Sequence, residues 1–418
     1  MPEPKTMRGI WWFPEAPDKR YVGDLINAPG RLLKLKLIVE GDRSHLEQEH
    51  PVIFGIGDGG ADLTLHRLSP NGFSSNMRFS EMDFSAGKLW EGAHLPDPTK
   101  TLFKEVQFHV QYLREWFGIT GFKPPTHKKG AITLKYSRPK SRTFSLSSGW
   151  EVSFNPETRS SHGEGQQSIN EDVQWIIKRN TTFTFEEALS VTNALQRLIH
   201  FACLKRIKPT KALAEQGGDL GETDDPSFPN LISVSGAFCY PESEKNLTSH
   251  DFIYSFGNLG SRFPALFQSW LRFCDKFRES LSCYDNTVYF DLNPSLELVA
   301  LTQALESYHA EKVGGRKRIH FQKRILSLLR KHHKKAPWAF KKPLTKLSLV
   351  IRDNRNFYTH HDPENKKAGR VKSGTDLAWL NESLTVLMRL CVLSELGITS
   401  DNGNVLRRHF PERIVSTG

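Results

Sequence analysis

The spacing of apolar residues changes along this chain, and that change limits the folds open to it. Leu32–Glu40 (LLKLKLIVE) alternates apolar and polar residues, the period of a strand with one buried face. Beyond about Ser261 the apolar residues recur every three or four positions, as in Leu266, Trp270, Leu271 and Phe277, or Leu298, Leu301, Leu305 and Tyr308. A chain that changes from period two to period 3.6 once is expected to be α+β with its strands and helices segregated. We expect residues 1–165 to form a β-rich N-terminal domain, 166–260 a mixed α/β middle segment, and 261–418 an all-α helical bundle. The length of 418 residues agrees with two or three domains.

Local punctuation refines this outline. PVIFGIGDGGADLTLHRL reads as two strands around an Asp58-Gly59 turn. Gly55, Gly57 and Gly60 satisfy GxGxxG, but a nucleotide loop needs a helix next, and the residues after Gly60, ADLTLHRL, alternate like a strand. AITLKYSRP and TFSLSSGWEVSF also read as strands, and Ser161–Glu164 as loop. Thr184-Phe-Glu-Glu187 has the form of a capping box, so a helix should run to about Lys205. Gly217–Asn230 is loop-like and LISVSGAFCY strand-like. Ser261 is placed to cap the first helix of the bundle, and Asn293-Pro294 the second, which should end before Gly314-Gly315. Further helices are expected up to Pro337, from Pro343 to Asp362-Pro363, and from Thr375 to Leu396, with Gly397 as the stop. Trp11, Trp12 and Phe13 read as anchors of a β core.

Charge singles out one segment. The chain carries 57 Lys and Arg against 46 Asp and Glu. Fourteen of those cations lie between Lys312 and Arg352, where no acidic residue occurs, and the other 43 do not outnumber the acids. The positive excess therefore belongs to 41 residues, and such a field attracts polyanions. The adjacent His332 and His333 point about 100° apart on a helix, so they cannot chelate together and are expected to add to the basic surface. The five cysteines (Cys203, Cys239, Cys274, Cys283, Cys391) form no zinc or disulfide pattern. The N-terminus lacks the apolar stretch of a signal peptide, and Arg389 and Glu395 interrupt the best candidate membrane span, Val386–Ile398. The expectation is a cytoplasmic protein with no membrane partner.

Beside the basic run lies Arg352-Asp-Asn-Arg355-Asn356-Phe-Tyr358-Thr-His360-His361. On a helix Arg352, Asn356 and His360 make one polar stripe, with Arg355 and Thr359 next to it. A helix's carbonyl end favours cations, and an imidazole suits proton transfer near neutral pH. A guanidinium close by can hold a phosphate. Taken alone, the spacing also allows a structural role, with Arg355 paired to Asp353 or Asp362 and His360 packed at the helix end.

Three stretches resemble a HEPN domain of the ApeA type. Leu298–His309 is similar to that group's long helix, with its Gln-Ala-Leu-Glu…Tyr-His signature. Arg355-Asn-Phe-Tyr-Thr-His360 matches the pattern of Arg, four residues and His, with Asn in the favoured second place, and its spacing selects His360 over His361. The final helix, ending Leu396-Gly397-Ile398, matches in kind. Gly9-Ile-Trp11-Trp12-Phe-Pro14 and the strands after it resemble the β-rich N-terminal domain of ApeA-like proteins. Ala310-Glu311 come after the Tyr-His pair where the family tends to place basic residues.

The resemblance implies an endoribonuclease that needs no metal or cofactor and acts in anti-phage abortive infection. The 2′-OH of RNA would attack its own 3′-phosphate, which excludes DNA as a substrate. Arg355, Asn356 and His360 would be catalytic, in a site composed of two copies across a homodimer or a higher oligomer. Arg316, Lys317, Arg318, Lys323, Arg324, Lys334, Lys335, Arg352 and Tyr358 would bind RNA, with tRNA or another translation-related RNA as candidate substrate and a phage product as trigger. The alternatives are a non-catalytic RNA- or nucleotide-binding HEPN module, or an adaptor whose bundle only oligomerises.

Overall fold

The fold is that of a computed structural model, which describes residues 4–28, 31–40, 46–75, 80–128, 131–163, 166–217, 231–236, 247–314, 319–341, 343–361 and 369–398. The chain is α+β, with a β-rich N-terminal region and a helical C-terminal region. It forms two compact units: residues 1–196 with 207–246, and residues 197–206 with 247–418.

The first unit is built on one antiparallel sheet of twelve strands. Six of them close on themselves: β1 (Lys5–Trp12), β2 (Tyr21–Asn27), β3 (Leu33–Val39), β4 (His50–Gly57), β5 (Asp62–Ser75) and β6 (Ser80–Glu91) pair in the ring β6-β3-β2-β1-β4-β5-β6. Closure leaves no free edge within the ring. The alternation read in the sequence is what fills it: β3 buries Leu33, Leu35, Leu37 and Val39 and exposes Lys34, Lys36 and Ile38. Trp11 lies fully inside, its indole N–H donating to Gly23 O at 3.3 Å. The space it occupies requires glycine opposite, because a Cβ on Gly55 would come within 2.5 Å of its ring. Trp12 and Phe13 are buried too. The β4–β5 turn confirms a hairpin at the GxGxxG stretch: Gly60 takes φ +78 and donates to Gly57 O.

The sheet continues from the second half of β6 through β14 (Leu231–Gly236), β13 (Pro209–Gln216), β7 (Leu102–Val110), β12 (Gln166–Thr184), β11 (Trp150–Gly163) and β10 (Arg142–Ser145). Ser161–Gly163 are strand residues of the long β11–β12 hairpin, not loop, with Ser161 Oγ 2.7 Å from Ser168 Oγ. Of AITLKYSRP only β9 (Ala131–Thr133) is strand, paired with β8 (Thr126–Lys128), and Ile132 and Leu134 are exposed. Helix α1 is Leu113–Phe117. Helix α2 (Phe185–Cys203) starts at the expected capping box, with reciprocal bonds between Thr184 and Glu187.

The second unit is helical: α3 (Phe256–Leu259), α4 (Phe263–Lys276), α5 (Arg278–Tyr289), α6 (Pro294–Lys312), α7 (Phe321–His332), α8 (Leu344–His360) and α9 (Gly374–Glu395). Asn293 caps α6, its side chain accepting from Ser295 N and Leu296 N. Ser261 is not a cap. It lies in a 3-10 turn, and Ser255 caps α3 just before it. A run of aromatic rings links α4 to α6, from Trp270 and Phe273 (centroids 5.2 Å) through Phe277 (4.5 Å) to Tyr308 (5.1 Å). Helix α9 is long and apolar enough to cross a membrane, yet it is mostly buried as a core helix. In its C-terminal half the fully buried Arg389 donates to Phe201 O and Ala202 O, carbonyls of the last turn of α2, at 2.8 and 2.5 Å. Burial lowers the Arg389 pKa to about 10, which leaves it cationic at pH 7.

Candidate active site

Arg355, Asn356 and His360 all lie on α8. The helix ends at His361, which takes φ +50 and donates its backbone N–H to Phe357 O at 2.7 Å. His360 and His361 are both exposed. Arg355 is held more firmly, with 26% of its side chain exposed. Its guanidinium lies 3.5 Å from Glu306 Oε2 of α6, donates to Asn356 Oδ1 at 3.4 Å, and sits 5.3 Å from the centre of the Phe321 ring. Glu306 is 27% exposed, so the pair faces water on one side. Sequence proximity offers Arg355 two carboxylates, Asp353 and Asp362. Asp353 engages other arginines, and Asp362 lies outside the described residues.

Below this pair the helix is tied down by polar groups. Asp353 is buried and accepts from Arg352 at 2.6 and 2.7 Å and from Arg370 at 3.4 Å. Arg352 also reaches Gln322 Oε1 at 3.4 Å. Asn354 is fully buried, donates to Val350 O (2.8 Å) and Arg370 O (3.1 Å), and accepts from Lys372 N (2.6 Å). Tyr358 donates its hydroxyl to Lys372 O at 2.6 Å. The segment 370–372 is thus fixed against α8 by three hydrogen bonds to its backbone and by the Arg370 side chain on Asp353.

The basic segment divides in two. Lys323, Lys334 and Lys335 are exposed, as are Arg330 and Lys331. Arg324 is 8% exposed and points inward, donating to Ile319 O at 3.0 Å with His309 Nδ1 3.5 Å away. Arg316, Lys317 and Arg318 lie outside the described residues. His332 does not join the basic surface. It is 1% exposed, neither ring nitrogen has a partner among the described residues, and burial, with Lys331, Lys335 and Lys312 nearby, lowers its pKa to about 4. Tyr308, of the Tyr-His pair, donates to Glu395 Oε1 at 2.7 Å, and burial raises its pKa. Burial lowers the pKa of His309, and Arg324 adds to the effect.

A profile of the ApeA N-terminal domain 1 matches residues 6–270, and one of the Apea-like HEPN domain matches residues 299–402. The chain belongs to the ApeA family. Its helical region is an ApeA-type HEPN domain, a fold of the HEPN nuclease and abortive-infection family, and the matched stretch contains α7, α8 and α9, with Glu306 and all three motif residues inside it. No curated protein and no solved structure matches the chain.

Glu306 is the contact that spacing did not reveal. It lies inside the Gln-Ala-Leu-Glu signature, but only the packing of α6 beside α8 makes it a partner of Arg355. Among the described residues one group could hold a metal: His109, Glu157 and Asp172 of the first unit, on β7, β11 and β12, whose ligand atoms lie within 4.8 Å of one another. His109 Nδ1 and Asp172 Oδ2 are 2.9 Å apart. Burial pushes the Asp172 carboxyl up, and the bonds from His109 and Val173 N–H outweigh that and hold it low, so an internal pair already satisfies it.

Proposed function

We propose that the chain is a cytoplasmic endoribonuclease of abortive infection that cuts RNA by transesterification without a metal. The observation that carries this is Arg355, which lies inside the HEPN-matched stretch, keeps its guanidinium part-exposed against Glu306 and Phe321, and precedes an exposed imidazole by five residues. Five residues of helix separate the two by about 140° of arc and roughly 7.5 Å of rise. One motif therefore offers its cation and its imidazole on different sides of α8, and two copies facing each other in a homodimer would supply both to one phosphate.

In that site the Arg355 guanidinium holds the non-bridging oxygens and stabilises the charge that grows on them. His360 accepts the proton of the 2′-OH. A bond forms from O2′ to phosphorus, the bond from phosphorus to O5′ breaks, and O5′ takes a proton from an imidazolium. The products are a 2′,3′-cyclic phosphate and a 5′-OH. Asn356, bonded to Arg355 and one turn from His360, orients the two. Lys323, Lys334 and Lys335 draw in the strand, and the β-rich unit receives a phage-derived trigger.

The test incubates RNA with the full chain and with Arg355→Ala in EDTA and analyses the product ends. Cleavage by the wild type alone, leaving cyclic phosphate, supports the proposal. Products ending in 3′-OH, or cutting that EDTA stops, would overturn it. His360→Ala separates a nuclease, which loses cutting and keeps binding, from a binding module, which keeps its affinity and has no cutting to lose.

A further inference from the structure

A cavity of about 240 Å³ opens in the helical unit away from Arg355. Three lysines, Lys341, Lys346 and Lys372, and one carboxylate, Asp376, line it, which leaves a surplus of positive charge. Trp379, Leu347, Val350 and Leu380 give it an apolar wall. Val350 lies about 140° around α8 from Arg355 and roughly 7.5 Å before it, so the cavity occupies a different face of that helix.

Several features mark this as a built recess. Lys372 is placed by three bonds of its backbone segment: its N–H donates to Asn354 Oδ1, Asn354 Nδ2 donates to Arg370 O, and the Tyr358 hydroxyl donates to its carbonyl. Its ammonium meets Asp376 at 2.9 Å. Lys341 Nζ stands 4.8 Å from the centre of the Trp379 ring, an ammonium held over an aromatic face. Lys346 is exposed. A dry cavity of about 150 Å³ accepts benzene, and drug-sized ligands begin at about 300 Å³. The recess therefore suits one ring with one substituent.

The geometry points to a binding site for a small aromatic anion, a single ring carrying one phosphate or carboxylate. The ring lies against Trp379, Leu347 and Leu380. The anionic group meets Lys341 and Lys346, with Lys372 shared between it and Asp376. The site does not depend on the reading of Arg355 and His360.

The test is calorimetric titration of the full chain with phenyl phosphate and with benzoate, against inorganic phosphate and benzyl alcohol, which keep only one half of the chemistry. Phenyl phosphate or benzoate should bind more tightly than either half. A preference between them assigns the anionic group, and both results support the site. Trp379→Leu should weaken binding by about two- to tenfold, and Lys346→Ala by about two- to fivefold. Trp379→Phe, which keeps a ring, should stay within about twofold of wild type and guards against a misfolded Leu variant. Arg355→Ala should bind as the wild type does, whatever becomes of RNA cleavage. No heat from either aromatic anion at millimolar concentrations, or unchanged affinity in folded Trp379→Leu and Lys346→Ala, overturns the proposal.

Discussion

Replacing Asn354 by Leu tests what fixes the chain after the motif helix. Leu has similar size and no polar atom, so it removes three hydrogen bonds and leaves little cavity. The bond to Val350 O stays within one helix and matters least. The other two join α8 to Arg370 O and Lys372 N–H, at about 1 kcal/mol each, and their partners then face an apolar side chain. Incomplete solvation of those partners brings the total to about 2–4 kcal/mol. The readout is amide hydrogen exchange of the full chain together with urea denaturation. A local loss of about 2 kcal/mol speeds exchange at the Lys372 amide by roughly 30-fold, while amides in the centre of α9 respond only to the global change. Asn354→Asp keeps an acceptor for Lys372 N–H and loses the donor to Arg370 O, so it separates the two bonds. Unchanged exchange at Lys372 in Asn354→Leu, with an unchanged urea midpoint, would refute the reasoning.

The same contacts set other outcomes. Arg355→Ala should lower RNA cleavage by about 10²–10³-fold, the usual loss of one charge-stabilising donor, and His360→Ala by about 10²–10⁴-fold, both read from initial rates. Glu306→Gln removes the anion that competes with phosphate for Arg355, so RNA affinity should rise by about two- to fivefold in filter binding; weaker binding would sink that idea. Exchanging Lys323, Lys334 and Lys335 for Ala should flatten the log-log salt dependence of RNA binding by roughly 2. His332 is neutral when folded, with a pKa near 4, and unfolds to an ordinary imidazole of about 6.5. Below pH 6.5 the unfolded chain binds the extra proton, so stability is full above that value and falls as pH drops towards 4, by up to about 3 kcal/mol from this residue. His332→Phe should remove that part of the slope in urea titrations at pH 7 and pH 5, and an identical slope would contradict it.

Much of the secondary structure was written in local signals. The alternation of β3, the Thr184–Glu187 box and the Asn293-Pro294 start each decide their own neighbourhood, and the structure keeps all three. The closed ring of strands was not legible, because it depends on β6 meeting β3 and β14 along one edge and β5 along the other, pairings of residues far apart in sequence. Strand β12 was hidden for another reason. Its neighbours Ile169 and Asn170 are both exposed, so this stretch shows no burial alternation to read. At the site, Arg355, Asn356 and His360 could be placed on one helix from spacing alone, but Glu306, 49 positions away, could not be paired with Arg355. The inward turn of His332 was available and missed: Ile325, Leu328 and Leu329 make a buried stripe, and a residue four after Leu328 continues it. Arg324 lies at the margin of that stripe, where a charge run hides a buried cation.

The contact of Arg389 with the end of α2 has a practical meaning for anyone who trims the chain. A fragment begun at Ser261, or at residue 299 where the HEPN match starts, discards Phe201 and Ala202 and strands a guanidinium in an oily interior with nothing to receive it. Tyr254 and its acceptor Leu198 O would go as well. A cut ahead of Phe185 keeps α2 but carries β13 and β14 away from their partners β7 and β6, so the whole chain is the piece to express, and fragments begun after α2 should aggregate for want of a few residues that sequence order assigns to the other half.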